Sequence, residues 1–310
     1  MPTTILITGG AGLVGRCLSR ILLQRGYAVL HLSRRENLSA ACPAYEWNIK
    51  QGTINTVAIE KADAIIHLAG AGIAEQRWTT QQKKMVVDSR VCGTELLAKS
   101  LQTISNKVRV FIGASATGYY GNSGATIVSE DTAPADQSFL STTCVQWEKA
   151  HQLLCASVGG LRPVILRIPT VLSPNGGAFP RLSMTAKWGM SSYFGKGAHY
   201  YSWVHIIDLC NIFIHALETP TLNGVYNAAA PIPVTCREFA KTLSQTYCPA
   251  LRGFAVPVPA PVLRLFMGEM ADIVLHGCRT SCERLLETGF VFRFPELRAA
   301  VQNLKMQQNC

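Results

Sequence analysis

The sequence predicts an α/β protein: a doubly wound parallel sheet with a smaller α/β domain at its C-terminal end. Three observations predict it. Short apolar runs alternate with helical patterns through the first half of the chain, as successive β-α units require. The first run, Ile5-Leu6-Ile7, has no polar alternation and reads as a strand buried on both faces. It enters the turn Gly9-Gly10-x-Gly12-x-x-Gly15, and a helical pattern of Leu13, Cys17, Leu18, Ile21 and Leu22 follows directly.

Each glycine of the turn has a task that a side chain would spoil. Gly9 and Gly10 permit the tight reversal, Gly12 lets backbone approach a pyrophosphate, and Gly15 lets the helix pack on the strand. The N–H groups of Leu13 and Val14 would meet the phosphates at the positive end of the helix dipole. Gly26 closes the helix, and Ala28 to Leu32 forms the second strand. In this strand–turn–helix setting the glycines read as a dinucleotide site, and the sheet as a Rossmann fold.

The end of the second strand predicts which dinucleotide. A carboxylate there would hydrogen-bond the ribose 2′-hydroxyl of NAD. This chain has Ser33-Arg34-Arg35 instead, with no acid before Glu36. Arg34 can make charge-assisted bonds to a 2′-phosphate and Ser33 can add a donor. NADP(H) is therefore the predicted cofactor.

A short helical stretch then runs to Lys61, and the fourth strand spans 62–70. Its small end, Leu68-Ala69-Gly70, would let backbone lie against the cofactor. His67, inside that strand, reads as a satisfied core histidine. A helix over about 81–101 carries Arg90 near its apolar side. A buried guanidinium needs an anion, either the cofactor phosphates or a structural ion pair. The strand 108–114 leads into Ser115-Ala-Thr-Gly-Tyr119-Tyr120-Gly121, and a helix follows over 141–157.

The strand 164–168 ends near Arg167, Pro169 and Val171, which would line the cofactor. Residues 202–208 alternate like a strand, and Asp208 is the expected N-cap of the next helix. His205 titrates near neutrality and could move a proton, and Trp203 could stack on a ring; packing is the competing role for both. Thr235-Cys-Arg-Glu238 is a capping box opening a helix through Tyr247. A further helix is expected over 262–275, and residues 305–310 are expected to fray. Residues 1–171 with about 205–230 would form the cofactor domain, and 172–204 with 231–304 the substrate lid.

Composition limits the partners. The net charge is +10, but the basic residues are dispersed, with no run longer than two. That pattern fits steering of an anionic small molecule better than nucleic-acid binding, which is not expected. Eleven scattered cysteines without a C-x-x-C pair suggest buried thiols in a reducing cytoplasm, with no metal site. The most apolar late stretch, 254–275, is broken by Arg264, Glu269 and Asp272, so neither a membrane span nor a membrane partner is expected.

These motifs resemble the extended short-chain dehydrogenase/reductase and nucleotide-sugar epimerase superfamily. Further segments in order (167–173, 195–197, 202–208, 224–231 and 289–295) are similar to its atypical members labelled epimerase-family proteins of the YfcH type. The resemblance covers essentially the whole chain. It implies an oxidoreductase or epimerase-like enzyme with a Ser or Thr after the 108–114 strand and a Tyr-x-x-x-Lys on the next helix. Ser115 matches the first position. The tyrosine and lysine positions fall on Leu140 and Cys144, so the usual proton relay is missing, as is typical of this type. Ser115, Tyr119, Tyr120 and His205 remain as proton-transfer candidates toward an unknown small-molecule substrate. The superfamily also implies a homodimer built on helices 81–101 and 141–157. Loss of the relay leaves a second reading open: a non-catalytic NADP(H) sensor or partner-binding protein.

Overall fold

The computed structural model describes residues 3–251 and 254–308. Its centre is one eight-stranded sheet. From edge to edge the strands are Gly224–Asn227, Arg162–Ile168, Val110–Ala116, Ala64–His67, Thr4–Thr8, Ala28–Ser33, Ala44–Asn48 and Thr53–Ile54. All neighbours are parallel except the last pair, an edge hairpin. Because Thr53–Ile54 precedes it, Ala64–His67 is the fifth strand in the chain, not the fourth.

The strand order reverses at Thr4–Thr8. This strand pairs on one side with the following strand, Ile5 opposite Val29, and on the other with a later one, Ile5 opposite Ala64. Such a reversal opens a crevice at the carboxyl ends of the strands. Both sheet faces are covered, as uninterrupted apolar strands demand. On one face Leu18, Leu22, Leu209 and Phe213 pack on Ile5, Ile7 and Ile66. On the other, Leu97, Leu101 and Leu154 pack on Leu6, Ile65 and Phe111. The helices Thr80–Thr103 and Phe139–Ser157 lie on this second face, close to the predicted spans.

A third core gathers Leu172, Phe179, Trp203, Phe239, Leu243, Phe294 and Leu304 from the C-terminal elements. The capping box at Thr235 and Glu238 forms as expected and opens the helix Cys236–Tyr247. Three other expectations need correction. His205, not Asp208, caps the helix Ile206–Glu218: its Nδ1 accepts from the Ile207 N–H at 3.2 Å. Asp208 instead accepts from the N–H groups of Arg293 and Phe294, both at 2.9 Å, and pins the C-terminal segment to this helix. Its side chain is therefore spent on a tertiary contact.

The helix expected over 262–275 is broken. An α-helix Ala260–Met267 gives way to a 3₁₀ turn Gly268–Ala271 and a short helix Asp272–Leu275. Gly268 sits at φ +59, a conformation open to glycine, and interrupts the pattern there. Nor does the tail fray through its described part, since Leu297–Gln308 is helical and Lys305 Nζ donates to the Thr246 carbonyl at 2.7 Å. Residues 309–310 lie outside the described residues. No described helix is long and apolar enough to cross a membrane.

Candidate functional site

The glycine turn adopts a geometry that only glycines allow. Gly9 has φ +72, and a Cβ there would stand 3.0 Å from the Leu68 carbonyl and the Ala69 nitrogen. A Cβ on Gly15 would come within 2.5 Å of the Gly9 oxygen. The turn closes through the Gly12 N–H to the Gly9 carbonyl at 2.9 Å. Gly12 then begins the helix Leu13–Gln24 with no side-chain cap. The first N–H groups, those of Leu13 and Val14, lack partners within the helix and point from its N-terminus. Here is a cradle for an anionic group, built from backbone alone.

Neighbouring elements fix this cradle. The Thr8 hydroxyl accepts from the N–H groups of both Leu68 and Ala69 at 3.1 Å and meets His67 Nδ1 at 2.7 Å. Thr94 reaches the other ring nitrogen of His67 at 3.2 Å, so this histidine is the satisfied core residue that was expected. Thr8 was not singled out from sequence. Its position as the last residue of a buried strand was the available signal.

Ser33 ends the second strand half-buried, and Arg34 beyond it is exposed. Arg34 takes part in no ion pair among the described residues. Its charge is thus available at the point where a dinucleotide's adenosine ribose would lie.

Arg90 packs against Gly70, where a Cβ would stand 2.9 Å from its Cζ, and lies 5.0 Å from the Trp147 ring centre. Its Nη1 donates to the carbonyls of Ala71 and Val86 at 3.1 and 2.9 Å. No described carboxylate pairs with it, so a structural ion pair does not explain its burial. Desolvation pushes its pKa down from the ordinary arginine value. The guanidinium faces a cleft of about 600 Å³ at the carboxyl edge of the sheet.

The inner wall of this cleft comprises Ala116, Thr117, Leu140, Thr143, Cys144, Ile168 and Pro169. Leu140 and Cys144, matched by sequence to the missing tyrosine and lysine, thus do face it. Burial pushes the Cys144 thiol up to about 12, and the nearby Glu148 charge adds to that. Cys144 is a neutral wall here, not a nucleophile.

The four proton-transfer candidates are placed elsewhere. Ser115 is buried and donates to Glu148 Oε1 at 2.6 Å. Glu148 is held by Arg167 through two parallel bonds of 2.8 Å. Arg167 Nη1 also donates to the Tyr120 oxygen at 2.9 Å, and Tyr120 donates to Asn227 at 2.7 Å. The Tyr119 ring lies against the Arg167 guanidinium, 3.5 Å from ring centre to Cζ. Burial pushes the Tyr120 hydroxyl up to about 12, opposed by Arg167. His205 is enclosed by the helix it caps and by Phe294, with ring centres 4.1 Å apart. Trp203 is equally buried and donates to the Ile232 carbonyl at 3.0 Å. Ser115, Tyr120 and Arg167 thus form a sealed network behind the cleft wall. Arg167 was expected to touch cofactor; its groups are taken up inside.

Thr117, two residues past Ser115, lines the cleft, as do the hydroxyl-bearing Ser138, Thr143 and Thr170. A 3₁₀ turn, Thr117–Tyr120, ends the strand and breaks the alternation by which sequence reasoning assigns sides. Val171 packs on the first core cluster, while Leu13 lies beside Gly176, whose Cβ would be 3.2 Å from it. The outer cleft is walled by Trp78, Phe139, Tyr200 and Tyr201, with Asp136, Arg264, Asp272 and His276 at the mouth. Two contacts strap the mouth: the ion pair of Lys83 with Glu269, and Arg77 Nη2 to the Phe266 carbonyl at 2.7 Å.

Buried neutral histidines give the fold a defined acid sensitivity. Burial holds His67 down to about 3 and His205 to about 4, and it lowers His151 as well. Unfolded, each takes a proton below about pH 6.5. The unfolded chain therefore binds more protons between that pH and about 4, and stability falls as the pH drops through this window. Urea unfolding at pH 7.5, 6 and 5 should show a loss of up to about 1.4 kcal/mol per pH unit for each histidine. His151→Phe should flatten that slope.

The chain matches the NAD dependent epimerase/dehydratase family over residues 5–229 and a domain of unknown function (DUF1731) over 258–304. It is 32% identical to the Bacillus subtilis epimerase family protein YfhF, over 97% of each chain. It is 31% identical to the Homo sapiens epimerase family protein SDR39U1, over 97% of this chain and 99% of that one. The crystal structure of human SDR39U1 (isoform 2) with NADPH superposes with a TM-score of 0.87 at 30% identity, covering 98% of this chain and 99% of that chain. A nucleoside-diphosphate sugar epimerase from Corynebacterium glutamicum superposes at 0.79 with 28% identity, covering all of this chain and 61% of that one.

Proposed function

The chain belongs to the NAD-dependent epimerase/dehydratase family, as an atypical short-chain dehydrogenase/reductase, and on that basis we propose that it binds NADP(H) and acts as an oxidoreductase or epimerase-like enzyme on a small molecule. One observation carries the cofactor choice: an exposed Arg34, in no ion pair among the described residues, stands where an NAD-selecting carboxylate would. The NADPH in the human SDR39U1 structure supports the same choice. The backbone cradle of Gly9, Gly12, Leu13 and Val14 would hold the pyrophosphate, and Ser33 with Arg34 the 2′-phosphate. The small backbone of Leu68, Ala69 and Gly70 would flank the ribose, with Pro169 at the nicotinamide end. The nicotinamide would supply or accept hydride.

The chain's own residues then bind and orient. Trp78, Phe139 and Tyr200 exclude water, Arg90 offers the inner cleft a cation, and Thr117 offers a hydroxyl able to hold or pass a proton. In this reading 1–171 with about 205–230 holds the cofactor and 172–204 with 231–304 forms the lid, with Cys282, Leu285, Phe290 and Phe292 of the second range packed on the first core. A reducing cytoplasm suits the ten described cysteines, all free thiols.

NADPH oxidation against a panel of aldehydes and ketones tests the enzyme reading. Thr117→Val should lower kcat/KM about ten-fold or more by removing a bond made to the reacting oxygen, whereas Ser115→Ala should act through stability. NADPH binding without turnover for any substrate would favour the sensor reading, to which Leu140 and Cys144 on the cleft wall already lend weight.

A further inference from the structure

We propose that the outer face of the lid docks on an anionic phospholipid surface. The helix Phe179–Lys187 turns Phe179, Ser183 and Ala186 inward and leaves Arg181, Met184 and Trp188 outward, at spacings of three and four. Trp188 is 78% exposed and Met184 57%. The chain then turns at Gly189 and enters the strand Ser192–Phe194, which pairs in parallel with Val256–Val258. Val256 donates to the Ser191 carbonyl at 2.8 Å, and Met190 and Phe254, each 60% exposed, stand two residues before the paired strands Ser192–Phe194 and Val256–Val258. Five large exposed apolar side chains, Met184, Trp188, Met190, Phe254 and Val256, therefore lie on two segments that this pairing brings side by side, a patch that scattered surface hydrophobes do not make.

Charge decides the occupant. No carboxylate occurs between Glu148 and Asp208, nor between Glu238 and Glu269, so both lid segments lie in acid-free stretches. Arg181 and Lys187 are exposed beside the patch, and neither joins an ion pair among the described residues. A second copy of the chain meeting this face about a two-fold axis would set the same acid-free, basic surfaces against each other. An anionic headgroup layer instead neutralises Arg181 and Lys187, while the aromatic and thioether side chains enter the acyl boundary. Tryptophan suits that depth, with an apolar ring and one polar N–H. This is surface attachment and needs no spanning helix; it departs from the expectation of no membrane partner. The bound face would be the lid over the cleft.

Co-sedimentation of the full chain with vesicles tests this. Vesicles of phosphatidylcholine with about a third phosphatidylglycerol should pull down the protein, vesicles of phosphatidylcholine alone should not, and raised salt should release it. Trp188→Ser should weaken partition about ten-fold. The double variant Arg181→Gln/Lys187→Gln, both on the exposed side of the helix, should weaken it comparably and remove the salt dependence. Failure to sediment with anionic vesicles would overturn the proposal, as would undiminished binding by both variants. A dimer in solution that Trp188→Ser converts to monomer would assign the face to a second copy and equally overturn it.

Discussion

Replacing Glu148 with glutamine should lower the unfolding free energy by about 3–5 kcal/mol, because it strands the Arg167 charge inside the protein. The side chains of both partners are almost fully enclosed, at 3% and 5% exposure. Burial disfavours the guanidinium charge, but the hydrogen bonds and field of Glu148 outweigh this and raise its pKa above the ordinary arginine value. Glutamine keeps the shape and one acceptor and removes the countercharge. The loss should spread, since the same network positions Ser115, Tyr120 and Asn227. Urea unfolding at pH 7 measures it. A second variant, Glu148→Leu/Arg167→Leu, should recover part of the stability, because paired apolar replacement avoids the unpaired charge. A loss below about 1 kcal/mol for Glu148→Gln would show that water reaches the pair and screens it.

That network also shows where sequence stops being legible. The glycine turn could be read because its constraints are local: each missing side chain answers a clash within a few residues or with the adjoining strand. The apolar strands and amphipathic helices could be read because their periods match their burial. Glu148 and Arg167 are 19 residues apart on different elements, and no period links them. The available signal was chemical: a charge inside the apolar strand Arg162–Ile168 demands a partner, and Glu148 on the neighbouring helix supplies one. Ser115 was assigned by motif, whereas its direction is set by the strand's last turn and by Glu148 behind it. His205 took the capping role expected of Asp208 for a similar reason. Either can cap, and the distant backbone of Arg293 and Phe294 claims Asp208 first. The helix break at Gly268 was visible only as a glycine in an apolar pattern, which has several outcomes until tertiary contacts choose one.

The second large effect concerns Arg34. NADPH should bind more tightly than NADH, and Arg34→Ala should remove most of the difference. A charge-assisted bond to a phosphate contributes about 1.5–3 kcal/mol, or about 10- to 100-fold in affinity. Because Arg34 is exposed and holds no ion pair among the described residues, its removal should leave the fold intact and the affinity for NADH nearly unchanged. Arg35 is the neighbouring cation, so Arg35→Ala serves as the control and should cost much less. Salt should weaken NADPH binding more than NADH binding, since the added contact is ionic and exposed.

Thermal unfolding with NADPH, NADP, NADH and NAD at matched concentrations bears most directly on the cofactor assignment, since a ligand held only by the folded protein raises the melting temperature by mass action. A clear rise with NADPH and NADP, a small one or none with NADH and NAD, and loss of that contrast in Arg34→Ala is the expected result. Equal shifts with all four, or no shift with any, would contradict the assignment of an NADP(H) site to the glycine turn and the Ser33–Arg34 strand end.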